Sequence, residues 1–290
     1  MSSNLSLAAE CLRVDYHFHP NFPLGVPLFG RFLSRRKARR IWRAFSHHGL
    51  HLIFVSEHVY KRPKCAYEFL QEQRPSEASA YLVPAIEYLT SEGVDIIVFA
   101  EKPEHIYCHR DLLIPWKLSA AAVVQTVLDD AHLQGIVVHP CTPGATSILR
   151  KCGKECTLRA IGDLGFLEIH NCSNAVLQEV FTVLKLEKLL HTKYQQIVET
   201  KHAPSYLRVD GAVCTGGSDA HFVWEIGDCM EIPAEHAGDF SSLFALATSK
   251  SGSFRERERR YKRALHLSGL TVLYEWLLKK TRLYTVDEPL

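Results

Sequence analysis

Histidines and carboxylates at fixed intervals are the first feature with chemical content. In the segment Val14-Asp15-Tyr16-His17-Phe18-His19, strict alternation places Asp15, His17 and His19 on one face of a strand and Val14, Tyr16 and Phe18 on the other. Two imidazoles separated by one strand residue reach a common point without distorting the backbone, which is what a metal ion requires. Asp15, one step deeper on that face, is placed to orient an imidazole through its second nitrogen. Similar groups recur along the chain: Glu57-His58, Glu87, His139 before Pro140, and Asp219 with His221 in Gly216-Gly217-Ser218-Asp219-Ala220-His221. In the last, the i, i+2 spacing returns and the glycines allow close backbone approach. Mixed imidazole and carboxylate ligation suits Zn, Mn or Fe better than Ca. A metal ion held there would lower the pKa of a bound water and make it a nucleophile, with His58 or His221, if not ligating, as general acid to the leaving group.

Residues so far apart in sequence need a scaffold that gathers them. Seven runs rich in Val, Ile, Phe and Tyr read as strands: Leu12 to His19, His51 to Ser56, Tyr81 to Leu89, Val94 to Ala100, Gly135 to His139, Gly165 to His170 and Ala212 to Gly216. Amphipathic stretches at Arg35 to His48, Leu118 to Leu133 and Val176 to Val198 read as helices between them. The alternation implies parallel strands joined by helical crossovers. A barrel of that kind carries every strand C-terminus at one pole, where active sites are built. Residues 1–230 are assigned to the barrel and 231–290 to an extension packed on it, a Pro, Gly and Ser-containing link followed by a charged helix from about Arg255 to Lys280.

The composition narrows the class. The chain has 290 residues, 47% of them hydrophobic and 23% charged, enough to bury a substantial core and unlike a disordered chain. A net charge of +2 is too balanced to mark a nucleic-acid protein by bulk charge, so any anion recognition must be local. Nine cysteines without a repeated CxxC pair fit a reduced compartment better than a disulfide framework. With neither a secretory h-region nor an apolar run of membrane-spanning length, a cytoplasmic protein is expected. Sixteen histidines stand out.

The ordered set DYHFH, EH, IEY, VHP, LEIHN and GSDAH, across roughly residues 12 to 225, resembles the PHP superfamily, named for its polymerase-associated and histidinol-phosphatase members. GSDAH followed by a further segment is similar to the branch with a PHP-associated C-terminal region. The resemblance implies a distorted (β/α)7 TIM-like barrel with a C-terminal helical extension, two or three divalent metal ions, and hydrolysis of phosphate monoesters or diesters. It implies a first metal site of His17, His19, Glu87 and Asp219, a second using Glu87 and His139, and a third using His58 and His221. Two departures stand out. Pro20, Asn21, Phe22 and Pro23 supply no further histidine for the third site, and the histidine that the family often carries near the fourth strand is replaced by a choice among Asp95, Glu101, His105 and His109. Glu57 stands where the family usually has Asp. The alternative to a hydrolase is a catalytically degenerate PHP barrel serving as a metal-binding or interaction module.

Other residues bear on substrate. Glu168 and Asn171, at the end of the sixth strand, are assigned a pocket role by the resemblance, although Asn171 could equally cap the following helix. The loop Cys141 to Ser147 precedes Arg150, and could cradle an anion at a helix N-terminus. Arg31 to Arg40 contains six cations and no acid; a solvated helix face is weighed there against phosphate or nucleic-acid contact. The expected partner is a phosphorylated small molecule or nucleotide, with nucleic acid possible and no membrane.

Overall fold

The computed structural model describes residues 11–23, 30–140, 147–173, 203, 205–234, 238–256, 277, 281 and 286–290. The expected helices at 176–198 and 255–280, and most of the 141–147 loop, lie outside or largely outside these. The chain forms a mixed α/β barrel, distorted and nearly closed, of the TIM-like kind. In chain order the elements are β1 (Cys11–Phe18), α1 (Gly30–His48), β2 (Leu52–Val55), α2 (Pro63–Glu72), β3 (Tyr81–Leu89), β4 (Asp95–Ala100), α3 (Pro103–Tyr107), α4 (Ala120–Asp129), β5 (Leu133–Val137), α5 (Ile148–Leu164), β6 (Phe166–Asn171), β7 (Val213–Gly217), β8 (Cys229–Pro233), α6 (Phe240–Ser249) and β9 (Ser253–Arg255). The sheet runs β7-β6-β5-β4-β3-β2-β1-β8-β9. None of the described helices is long and apolar enough to cross a membrane.

The expected seven strands all form, but they are not all parallel. β4 is antiparallel to β3 and to β5. Only Thr90 to Val94 joins β3 to β4, closed by hydrogen bonds from Thr90 N–H to the Val94 carbonyl (2.9 Å) and from Gly93 N–H to the Thr90 carbonyl (2.9 Å). A parallel crossover needs a dozen or more residues, so so short a link must reverse the chain, and Gly93 supplies the positive φ of 79° at the turn. The segment after residue 230 also differs from the expected link: it carries β8, α6 and β9, with β8 antiparallel to β1. The expected domain boundary at 230 therefore falls within β8. Helix α2 was not anticipated, and α5, which begins where the loop before Arg150 implies a helix N-terminus, is bent at Gly153.

Two apolar layers hold the barrel. Leu12, Val14, Tyr16, Phe54, Phe99 and Phe166 fill its interior. A larger layer lies between strands and helices, where α1 contributes Ala38, Ile41, Trp42 and Phe45 at helical spacing. Helix α6 closes the floor: Leu243, Phe244 and Ala247 join the interior layer, and the Tyr16 hydroxyl donates to the Ala247 carbonyl at 2.7 Å. At the opposite rim β7 meets β1. The Asp219 N–H donates to the His17 carbonyl at 2.7 Å and the His19 N–H to the Ala220 carbonyl at 3.2 Å. Gly217 permits this approach, because a Cβ there would lie 2.5 Å from that of His17.

Candidate metal centre

Two irregularities in the strands aim the site. Between Asp15 and Phe18 β1 advances three residues while β2 advances two, from Ile53 to Val55. The extra residue breaks the alternation, as a β-bulge does. Val14 and Tyr16 point into the barrel but Phe18 joins the outer layer, and His17 and His19 turn inward above Tyr16. Asp15 is thereby parted from the histidines it was expected to orient. It accepts instead from Ser218 N–H (2.9 Å), the Ser218 hydroxyl (2.6 Å) and His17 N–H (3.2 Å), tying β1 to the β7 loop. Burial pushes its carboxyl up to about 7. Strand β6 carries a second register shift between Glu168 and His170. It brings Glu168 and Asn171, three residues apart, to the same side, where the Asn171 amide donates to both Glu168 oxygens at 3.2 and 3.3 Å.

Glu168, only 3% exposed, lies beneath the histidines. It takes the His17 Nδ1 proton at 2.8 Å and the His139 N–H at 2.9 Å. The first bond fixes the His17 tautomer and leaves its Nε2 lone pair facing the centre. The Asn171 amide also meets His139 Nδ1 at 3.2 Å. Both residues, expected at the substrate pocket, thus stand behind the ligand set. Arg150 is exposed in the first turn of α5, whose N–H it contributes to the Ser147 hydroxyl at 3.2 Å.

The remaining residues converge at the rim in three groups: His17, His19 and Asp219; His17, Glu87 and His139; and His19, His58 and His221. In the first, His17 Nε2 lies 3.0 Å from His19 Nε2 and 3.6 Å from Asp219 Oδ1, and His19 Nε2 lies 3.1 Å from Asp219 Oδ1. Glu87 lies alongside, its Oε1 3.6 Å from His17 Nε2 and its Oε2 3.5 Å from His19 Nε2. Tetrahedral bonds of about 2.0–2.1 Å imply ligand-to-ligand edges of about 3.3 Å, so these donors fit an ion of zinc size. In the second group His139 Nε2 is 3.1 Å from Glu87 Oε1 and 3.9 Å from Asp219 Oδ2. In the third, His58 Nε2 and His221 Nε2 are 3.4 Å apart, and the His19 ring centroid is 4.4 Å from each of theirs. His58 Nδ1 abuts Glu87 Oε2. His19 belongs to both the first and the third group, and its one facing nitrogen can serve a single ion at a time.

Of the alternatives near the fourth strand, Glu101, His105 and His109 lie at the other pole. The β3–β4 reversal carries them there, where Glu101 accepts from the Ser241 hydroxyl of α6 at 2.6 Å, His105 stacks on His132, and His109 pairs with Asp130. Asp95 joins none of the three groups among the described residues. Glu57 accepts from the N–H groups of Asn21 and His58. Burial opposes its charge, but the hydrogen bond from His19 and the nearby Lys61 hold its carboxyl down at about 2. Lys37, expected only as one of the six cations of the 31–40 run, turns away from the others. On the inner side of α1 its ammonium donates to the Asn21 carbonyl at 3.0 Å and the His221 carbonyl at 2.9 Å, and burial brings it down to about 8.

The electrostatics show a site that wants cations. Burial disfavours charged imidazoles, yet the charges of Asp219 and Glu168 hold His17 well above the ordinary histidine range. Against the same burial, His139 is raised to about 9 by its bond to Glu87 and by Glu168 and Asp219. Glu87 and Asp219 are held well below the carboxylate range in spite of burial, Glu87 chiefly by His58 and Asp219 chiefly by His17. Burial, with His58 and His221 beside it, depresses His19. In the metal-free chain, protons on imidazoles supply the positive charge that divalent ions would replace.

Fold and site together define a β/α barrel with a His/carboxylate metal-binding centre at one rim. A family model described as PHP-associated matches residues 201–243, in keeping with the resemblance to the PHP branch that carries such a C-terminal region. Its barrel is similar to the crystal structure of PsfC from Pseudomonas syringae PB-5123, with a TM-score of 0.57 and 15% identity over 93% of this chain and 99% of that one. No curated protein matches it.

Proposed function

We propose that the protein is a metal-dependent hydrolase of phosphate esters. The observation that carries this reading is the convergence of His17, His19 and Asp219 within ligand reach of one another, with Glu87, His139, His58 and His221 adjoining them. His17, His19, Glu87 and Asp219 would hold one ion, Glu87 and His139 a second, and His58 and His221 a third. When bound, such ions supply Lewis acidity that activates water and neutralises phosphate charge. The chain's own groups do the rest. Glu168 holds His17 by its Nδ1 and His139 by its backbone, and Asn171 steadies Glu168, so this pair acts as positioning residues. Lys37 pins the loops after β1 and β7 together. Lys61, whose ammonium donates to Asn21 Oδ1 at 3.2 Å, places positive charge on the same side as His58. His58 or His221, where not ligating, is the general acid.

The test is elemental analysis of protein purified without chelator, followed by turnover of an aryl phosphate with the metal found. His17→Ala is expected to abolish turnover without unfolding the chain, and Glu168→Gln to weaken metal affinity about 10- to 100-fold through loss of the imidazole's partner. Wild-type protein that binds no metal and shows no metal-dependent rate would leave the interaction module as the reading.

A further inference from the structure

The outer face of α1 plays no part in the centre, and its composition is unusual. Arg31, Arg35, Arg36, Arg39, Arg40 and Arg43 are all exposed, the helix has no acidic residue, and none of the six forms an ion pair or hydrogen bond through its guanidinium among the described residues. At 3.6 residues per turn they occupy about half of the circumference and run about 18 Å along the axis. The opposite face is spent on the barrel through Ala38, Ile41, Trp42 and Phe45. Within the arginine face Phe32 is 65% exposed. Beside the helix, the 3-10 turn Val223–Glu225 carries Trp224, 43% exposed and stacked on Phe222 with ring centroids 4.5 Å apart.

We infer that this face binds single-stranded nucleic acid and leads a strand to the metal centre. Planar guanidiniums bind phosphate bidentately and stack on bases, which an ammonium does not do, and every exposed cation of this helix is an arginine. Exposed aromatic rings next to a cationic track are what strand-binding surfaces use to hold bases. A membrane-surface helix would instead turn a broad apolar face outward, whereas that of α1 is buried. The track is joined rigidly to the centre, since Lys37 of the same helix holds the carbonyl of His221. As a substrate site the face rests on the hydrolase reading above; as a binding face it does not.

Binding is measured on the full metal-free chain with a fluorescein-labelled single-stranded oligonucleotide by anisotropy, over a salt series and against phosphatidylserine vesicles. Wild-type protein is expected to bind with affinity that falls as salt rises. The variant Arg35→Glu/Arg39→Glu/Arg43→Glu should bind at least tenfold more weakly. The matching Gln variant, which adds no negative charge, should lose about two from the slope of log affinity against log salt, at about 0.7 per phosphate contact. Phe32→Ala/Trp224→Ala should weaken binding about tenfold and leave that slope unchanged. Aryl phosphate turnover should persist in all three. No oligonucleotide binding at low salt, equal binding by the arginine variants, or preference for the vesicles would overturn the inference. So would an enzyme that turns over aryl phosphate but leaves a bound oligonucleotide uncut. Absence of aryl phosphate turnover in the wild type would count against the hydrolase alone.

Discussion

His139 shows what the centre demands of a single side chain. It is buried, sits at a positive φ of 47°, and carries an imidazole raised to about 9 by Glu87 and the carboxylates around it. A backbone held in that region costs free energy that the surroundings must supply. Asp219, at φ 45°, is held likewise, so two residues that follow the ends of β5 and β7 share the same costly backbone conformation. The protonation state has a measurable sign. A histidine raised in the folded state contributes stability that is fully present below its unfolded pKa, about 6.5, and is lost as pH rises through the folded value. The metal-free protein is therefore expected to lose thermal stability between pH 6.5 and 9, by on the order of 1–3 kcal/mol. Saturating divalent metal should reverse the trend, because coordination requires the neutral ring. Thermal melts across that range, with and without metal, check both signs. Parallel slopes in the two series would show that the ions do not displace these protons.

At the scale of elements, the irregular strands do what regular ones could not. Alternation alone put Asp15 with His17 and His19, and it separated Glu168 from Asn171; the bulges in β1 and β6 reverse both relations. The convergence of His17, His19, Glu87, His139 and Asp219 was legible, because residue type and strand-end position survive a one-residue slip. Their supporting partners were not, since a bulge has no signature in the sequence around Tyr16 or Ile169. The β3–β4 hairpin was within reach: Ser91-Glu92-Gly93 is too short for a crossover and contains a turn glycine. Recognising it would have removed Glu101, His105 and His109 from the candidates. The link between β1 and β7 gives a sharper test. Gly217→Ala would place a methyl 2.5 Å from the His17 Cβ, and overpacking of this kind costs about 1–3 kcal/mol. The variant should melt earlier and bind metal more weakly than wild type, and unaltered metal affinity would show that the β1–β7 spacing does not set the first site.

Over the whole molecule, stability and chemistry occupy opposite poles. The rim is polar and crowded with charge, while the floor is apolar and closed by α6. Phe244 contacts Phe99 there, with ring centroids 6.2 Å apart, and packs with Phe240. Phe244→Ala should destabilise the fold by about 3–5 kcal/mol while leaving metal affinity per folded molecule close to wild type, as denaturant titration and metal titration would show. A loss of affinity as large as the loss of stability would mean that the two poles are not separable. The position of α6 could not be read from the chain, because ten residues of Phe, Ser, Leu, Ala and Thr after an expected link give no sign of which surface they will cover.

The filled interior also bears on traffic. With side chains packed beneath the ligands and α6 below them, the rim is the one way in and out of the centre, so on the hydrolase reading phosphate and alcohol would leave against the flow of fresh ester and compete with it for the same doorway.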